Sequence, residues 1–157
     1  MKPRGRVLAL DFGERRMGLA VSDALGLTAQ GLPTLERRNR RADLEALCRL
    51  VREHNVDLVL VGNPVHLSGR AGAQAEAAQA FAEQVRRYTG REVRLWDERL
   101  TTAEAQRVLR QSGVSSAKRA AAVDRLAAVL LLQSYLDCQN LAATSPEAGA
   151  AAPPETK

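Results

Sequence analysis

Three acidic positions fall where a chain could do chemistry on a phosphate. Asp11 closes the apolar run VLALD (Val7 to Asp11), and the turn-like GERR follows after Phe12. Asp97 and Glu98 close a second run, VRLW (Val93 to Trp96). A third acid, Asp124, sits in the Ala-rich stretch KRAAAVDRLAAVLLL. Helical steps from it reach Ala120 and Ala121 behind and Ala127, Ala128, Leu131 and Tyr135 ahead, so its carboxylate shares the apolar stripe that must pack. An unpartnered charge there would cost several kcal/mol. Taken alone, Asp124 has an ordinary explanation, pairing with one of the many arginines, and Asp11 alone has another, an Asp hydrogen-bonding to its own turn. Three acids meeting in one crevice would repel one another, and a divalent cation is the usual means of holding them together. Oxygen donors without His or Cys at ligand spacing favour Mg²⁺ or Mn²⁺ over zinc. His54 and His66 stand apart and suggest no site. Two ions about 4 Å apart would suit in-line attack of water on a phosphodiester.

The elements that must position these acids can be read along the chain. Val7 to Asp11 and Met17 to Ser22 read as a hairpin, and Leu32 to Leu35, with Pro33 inside it, as an outer strand. Ala42 to His54 has Leu44, Leu47, Leu50 and Val51 at helical spacing. Asp57 to Val61 (DLVLV) is a continuous apolar run, as in a strand buried on both faces. Ala73 to Tyr88 is an Ala-rich helix, and Val93 to Trp96 a last strand. Thr101 with Glu104 forms a capping box opening a helix that ends near Gly113; another helix runs from Ser115 or Ser116 to about Leu136. The order β, β, β, α, β, α, β, α, α gives an α/β fold with a mixed five-stranded sheet, three antiparallel strands then two parallel ones, with helices on both faces. Ligands in such sheets lie outside the carboxyl ends of the parallel strands, the edge that Asp11, Asp97 and Glu98 share. Residues 1–141 are expected to form the domain and 142–157, lacking any large apolar side chain, a disordered tail.

Composition narrows the function class. The 157 residues carry 23 Lys and Arg against 18 Asp and Glu, a net charge of +5, and all the basic residues but Lys2, Lys118 and Lys157 are arginine. That balance suits a polyanionic partner and bidentate phosphate contacts. Cys48 and Cys138 read as small core residues of a reduced cytoplasmic protein. No leader or membrane span is evident. Only five aromatic residues are present, which leaves little for base stacking.

These residues resemble a known family. LALDFGERRMGLAVSD (Leu8 to Asp23), DERLTT (Asp97 to Thr102) and KRAAAVDRLAAVLLLQSYLD (Lys118 to Asp137) are similar to the three signature blocks of the bacterial YqgF/RuvX pre-16S rRNA nuclease and Holliday junction resolvase family, and VLVGNPVHLSGRAG (Val59 to Gly72) to a fourth. Asn63 departs from it, standing where an apolar residue is commoner. The resemblance implies a ribonuclease H-like fold and makes Asp11, Glu98 and Asp124 the catalytic, metal-binding acids. It also supports Lys118 as a phosphate contact. Arg15 and Arg16 beside Asp11 are candidate phosphate contacts too, with a charged hairpin tip as the plainer reading. Thr101 could touch substrate, although its capping role explains it. Asp97 reads as a supporting acid, and RRNRR (Arg37 to Arg41) as a solvated helix start that adds attraction.

The expected activity is therefore metal-dependent hydrolysis of phosphodiesters in structured nucleic acid: the 5′ end of pre-16S rRNA, branched DNA, or both. Ribosome precursors are possible partners, no membrane is expected, and the chain would act as a monomer or weak homodimer. Two other classes compete. A ribosome-assembly factor that binds nucleic acid without chemistry would gain nothing from three acids facing a polyanion. An actin-like or sugar-kinase-like ATPase also begins with Asp-x-Gly on a first strand, but needs a second nucleotide-binding subdomain.

Overall fold

A computed structural model describes residues 5–63, 71–97 and 116–144. Its strands are β1 (Arg6–Phe12), β2 (Arg16–Ser22), β3 (Ala29–Glu36), β4 (Val56–Asn63) and β5 (Glu92–Asp97). Its helices are α1 (Arg40–Glu53), α2 (Ala71–Thr89) and α3 (Ser116–Thr144). The strands form one five-stranded sheet in the order β3-β2-β1-β4-β5. β1 pairs antiparallel with β2, and β2 with β3, whereas β4 runs parallel to both β1 and β5. This is the expected mixed sheet. The expected helix from Thr101 to Gly113 lies outside the described residues.

Side-chain size divides the sheet into two unlike faces. Leu8, Leu10, Met17, Leu19 and Val21 point one way, into a core closed by Leu44, Leu47 and Val51 of α1 and Ala78, Phe81 and Val85 of α2. The intervening residues are small: Ala9 and Ala20 face Ala128, Leu131, Leu132, Tyr135 and Leu136 of α3. Alternation places every second residue on one face, so on β1 and β2 the bulk meets α1 and α2, while α3 meets Ala9 and Ala20 there, with Leu58 and Leu60 of β4 beside them. Interiors fill to crystal-like density by such complementarity. A glycine of β2, Gly18, brings α3 closer still, as the site below shows.

Several boundaries differ from the sequence reading. β3 starts three residues earlier than expected, at Ala29, through Gly31 and Pro33. It is an edge strand needing one ladder, and its pairing with β2 shifts between Met17 and Leu19, opposite Pro33, where a missing amide is tolerated. α1 begins at Arg40 because the Asn39 side chain caps it, Oδ1 accepting from Ala42 N at 2.9 Å. α3 continues past Leu136 to Thr144. No Gly or Pro interrupts it there, and Asn140 Nδ2 donates to Gly26 O at 3.1 Å. Neither cysteine is a core residue: Cys48 is half-buried, and Cys138 is exposed because it follows the stripe that ends in Tyr135 and Leu136. Among the described residues no helix is long and apolar enough to cross a membrane.

The β2–β3 turn is held by Asp23, whose carboxylate accepts from Leu27 N at 2.8 Å and Thr28 N at 3.0 Å. Those amides, Thr28 first and then Leu27, hold the Asp23 carboxyl below the ordinary carboxylate range. A depressed folded value means that the stabilisation is present above the unfolded value, about 4, and disappears as pH falls through the folded one. Asp23→Ala should therefore melt below the wild type at pH 7, and the two curves should converge under strong acid. A gap that persists at low pH would assign the loss to packing instead.

Candidate active site

Asp11 stands at the carboxyl end of β1, opposite Gly18 of β2. Directly opposed residues of an antiparallel pair project to the same face, which here is the face of Ala9 and Ala20, under α3. A Cβ built on Gly18 would fall inside the carbonyl of Asp124 and 3.1 Å from its Cα. Only a hydrogen lets the α3 backbone rest there. Gly18 thus presses the Asp124 turn of α3 against the strand residue that faces Asp11. The sequence separates these two acids by more than a hundred positions; one glycine brings them onto the same patch.

The other parallel strands end on this edge. Leu10 is level with Val61 of β4, and Val61 with Leu95 of β5. Trp96 packs on the α3 side, its ring edge-on to Tyr135 with centroids 5.1 Å apart and its Nε1 donating to Ser134 Oγ at 3.2 Å. Asp97 ends β5 beside Asn63 of β4. Glu98 follows Asp97 in the chain and lies outside the described residues, as does Thr101. Lys118 is on the first turn of α3.

The structure gives Asp124 a partner. Arg16 Nε donates to its Oδ2 at 2.7 Å, with the two side chains 34% and 22% exposed. The plain reading of Asp124, an acid paired with an arginine, is therefore met, and by the arginine that begins the strand next to Asp11. Arg16 has an intramolecular partner before any phosphate, whereas Arg15 is exposed at the turn. RRNRR proves divided: Arg38, Arg40 and Arg41 are exposed, but Arg37 is packed against the turn after Asp11. Gly18 and Arg37 are the residues that sequence reasoning missed. A glycine inside a strand pattern signals close backbone approach, so Gly18 had a signal; Arg37, inside a run of like charges, had none.

Hard oxygen donors at a strand terminus fit a small divalent cation. Among the described residues no cluster of three His, Cys, Asp or Glu forms, and Asp11 and Asp124 are the two candidate acids within them. Both are carboxylates, oxygen donors of the kind that suits Mg²⁺ or Mn²⁺.

A mixed sheet of this order, with α3 across the face that carries the acids, defines a ribonuclease H-like fold. RuvC of T. thermophilus, solved in complex with a Holliday junction substrate, superposes with a TM-score of 0.56 at 15% identity, over 87% of this chain and 96% of that one. The Fowlpox virus resolvase, solved with Holliday junction DNA, gives 0.52 at 13% identity, over 85% and 98%. The family is fixed by sequence: the profile described as RuvX, Holliday junction resolvase, matches residues 5–138, and the chain belongs to that family. A relative from Koribacter versatilis named "Putative pre-16S rRNA nuclease" is 50% identical over 137 residues, 87% of this chain and 90% of that protein. One of the same name from Halalkalibacterium halodurans is 47% identical over 138 residues, 87% and 99%.

Proposed function

We propose that this chain is a metal-dependent nuclease that hydrolyses phosphodiesters of structured nucleic acid, with precursor 16S rRNA, four-way DNA junctions, or both as substrates. The observation that carries the reading is the close seating of α3 on Gly18, which sets Asp124 over the strand position facing Asp11. Relatives named for rRNA cleavage and a family named for junction resolution support the substrate classes.

In this reading Asp11, Asp124 and Glu98 hold Mg²⁺ or Mn²⁺. Glu98 comes two residues after Trp96, whose ring packs on the α3 side. The ion, when bound, would polarise the phosphate and lower the pKa of a coordinated water. Asp11, Asp124 and Glu98 would hold the ion beside the scissile phosphate, and the hydrolysis exchanges one bond for another, water adding to phosphorus as the bridging P–O bond breaks. The products are a phosphomonoester and a hydroxyl. Arg15, exposed beside the acids, and Lys118, on the first turn of α3, attract the flanking phosphates, and Arg16 lies within reach of the same patch.

The Arg16–Asp124 pair gives one observation to a second reading, a binder without chemistry, because an acid neutralised by arginine needs no cation. Incubation of the wild type and Asp11→Asn with Mg²⁺ or Mn²⁺, a four-way DNA junction and a 5′-extended 16S precursor at low salt separates the two. The wild type should cut at least one substrate only with metal, and Asp11→Asn should be slower by about 100-fold or more. Tight binding without cutting by either protein would favour the binder.

A further inference from the structure

The turn between Asp11 and Arg16 is gripped from outside the catalytic face. Arg37 Nη1 donates to Gly13 O at 3.0 Å, and Arg37 N donates to Arg15 O at 2.8 Å. The same guanidinium lies 4.6 Å above the Phe12 ring and 5.7 Å from the Phe81 ring, the two rings being stacked at 4.7 Å. Its Nε donates to Asp43 Oδ2 at 3.1 Å, and Asp43 is 2% exposed. The second oxygen of Asp43 accepts from Arg38 N at 3.1 Å, so the carboxylate is held by two donors on the chain it anchors. The sheet completes the frame, because Arg16 pairs with Glu36, the residue before Arg37.

A side chain at the surface needs none of this. A buried carboxylate must be paired and hydrogen-bonded to be tolerated, and Arg suits the task because one planar fork can donate in two directions while stacking. Asp43 and Phe81 hold the Arg37 side chain, and its other attachments lead to the residues that flank Asp11: Phe12 by its ring, Gly13 by its carbonyl, and, through the Arg37 backbone N–H, the Arg15 carbonyl. We infer that Arg37, locked by Asp43, is a positioning residue for the reaction: it fixes the turn that sets the Asp11 carboxylate and directs Arg15 and Arg16 toward the substrate phosphates. The inference rests on the nuclease reading. Arg37 has no role in the chemistry itself, and it acts through the backbone of 12–15.

Its signature differs from that of a phosphate contact or a general structural support. A misplacement of about 1 Å in a catalytic group can cost on the order of 100-fold in rate, whereas loss of a phosphate contact weakens binding and flattens its salt dependence by about one ion. Arg37→Met, Arg37→Lys, Asp43→Asn and, as a control, Arg49→Ala at an exposed position of α1 are assayed for kcat and KM well below their melting temperatures. Amide exchange over residues 12–16 is followed in parallel. Arg37→Met should lower kcat by about 30- to 100-fold with KM within roughly threefold, and speed exchange selectively in that turn. Arg37→Lys should not restore the rate, since one ammonium cannot bridge Gly13 and Asp43 and also stack. Asp43→Asn should resemble Arg37→Met, and Arg49→Ala the wild type. Wild-type kcat in Arg37→Lys, unchanged exchange at 12–16, or a loss confined to KM with a shallower salt slope would each overturn the inference. A wild type that cuts nothing would remove the nuclease reading alone; the exchange comparison would then decide whether the clamp exists.

Discussion

Gly18→Ala should be severely damaging for a single added methyl. The added Cβ falls inside the Asp124 carbonyl and within 3.1 Å of its Cα, so the clash is with main chain and no rotamer relieves it. Either α3 lifts from β2, opening the layer that buries Ala128, Leu131 and Leu132, or β2 moves away from β1 and disturbs the Asp11–Gly18 pair. Overpacking typically costs 1–3 kcal/mol, and a clash with main chain that cannot rotate away should place this change at about 3 kcal/mol or above. For a domain of this size that corresponds to a fall in Tm of roughly 6–12 °C. Gly31→Ala is the natural control. Its Cβ would meet Cγ and Cδ of Arg125 at 2.8 Å, the stem of a flexible side chain, and the expected cost is under about 1 kcal/mol. Differential scanning calorimetry of the two variants checks the contrast; equal losses would mean that α3 rides on side chains throughout and that Gly18 does not set its height. Cleavage should follow stability only in part, because a folded Gly18→Ala population would still have Asp124 displaced.

The order of elements was legible because GERR follows the first run and a helical period separates the parallel strands, although β4 continues through Gly62 to Asn63. The large-small alternation of LALD and MGLAV corresponds to the two faces of the sheet, a signal that the hairpin reading left unused. It also held the clue to Gly18, since a glycine in register with an acid on a helix-covered face implies close approach. The pairing of distant residues was less legible. That Asp124 would need a partner followed from its place on an apolar stripe, but the choice of Arg16 among the 23 Lys and Arg depends on the β1–β2 register and the position of α3. Arg37 was obscured for a different reason. Its neighbours Arg38, Arg40 and Arg41 are exposed, and only the packing of α1 beside Phe12 and Phe81 turns one member of the run inward. Edge-strand β3 was shortened in the reading because Gly31 and Pro33 suggest breaks; the first lies under Arg125, and the second sits at a register shift.

Asp124→Asn should abolish cutting while strengthening binding, a combination that separates chemistry from charge. The carboxamide keeps the size of the side chain, so α3 should stay seated, but it offers a weaker donor to a divalent cation and no charge. Turnover should fall by about 1,000-fold. Arg16 at the same time loses the carboxylate that accepts its Nε, and the patch facing the phosphates becomes more positive. If Arg16 then neutralises one further phosphate, the plot of log affinity against log salt should steepen by about 0.9. Arg16→Ala should act oppositely, with weaker binding and a shallower slope. Because Asp124 is only partly buried, leaving it without Arg16 should cost no more than about 1 kcal/mol of stability. The double variant decides what the acid is for. If Asp124 is a metal ligand, Arg16→Ala/Asp124→Asn should cut as poorly as Asp124→Asn, since no change at Arg16 replaces a missing oxygen donor. If Asp124 exists only to hold Arg16, the double variant should cut as well as Arg16→Ala alone, because the acid has no task left once its arginine is gone. Cleavage rates and salt slopes for all four proteins on one substrate close that cycle, and the metal-ligand role would not survive the second outcome.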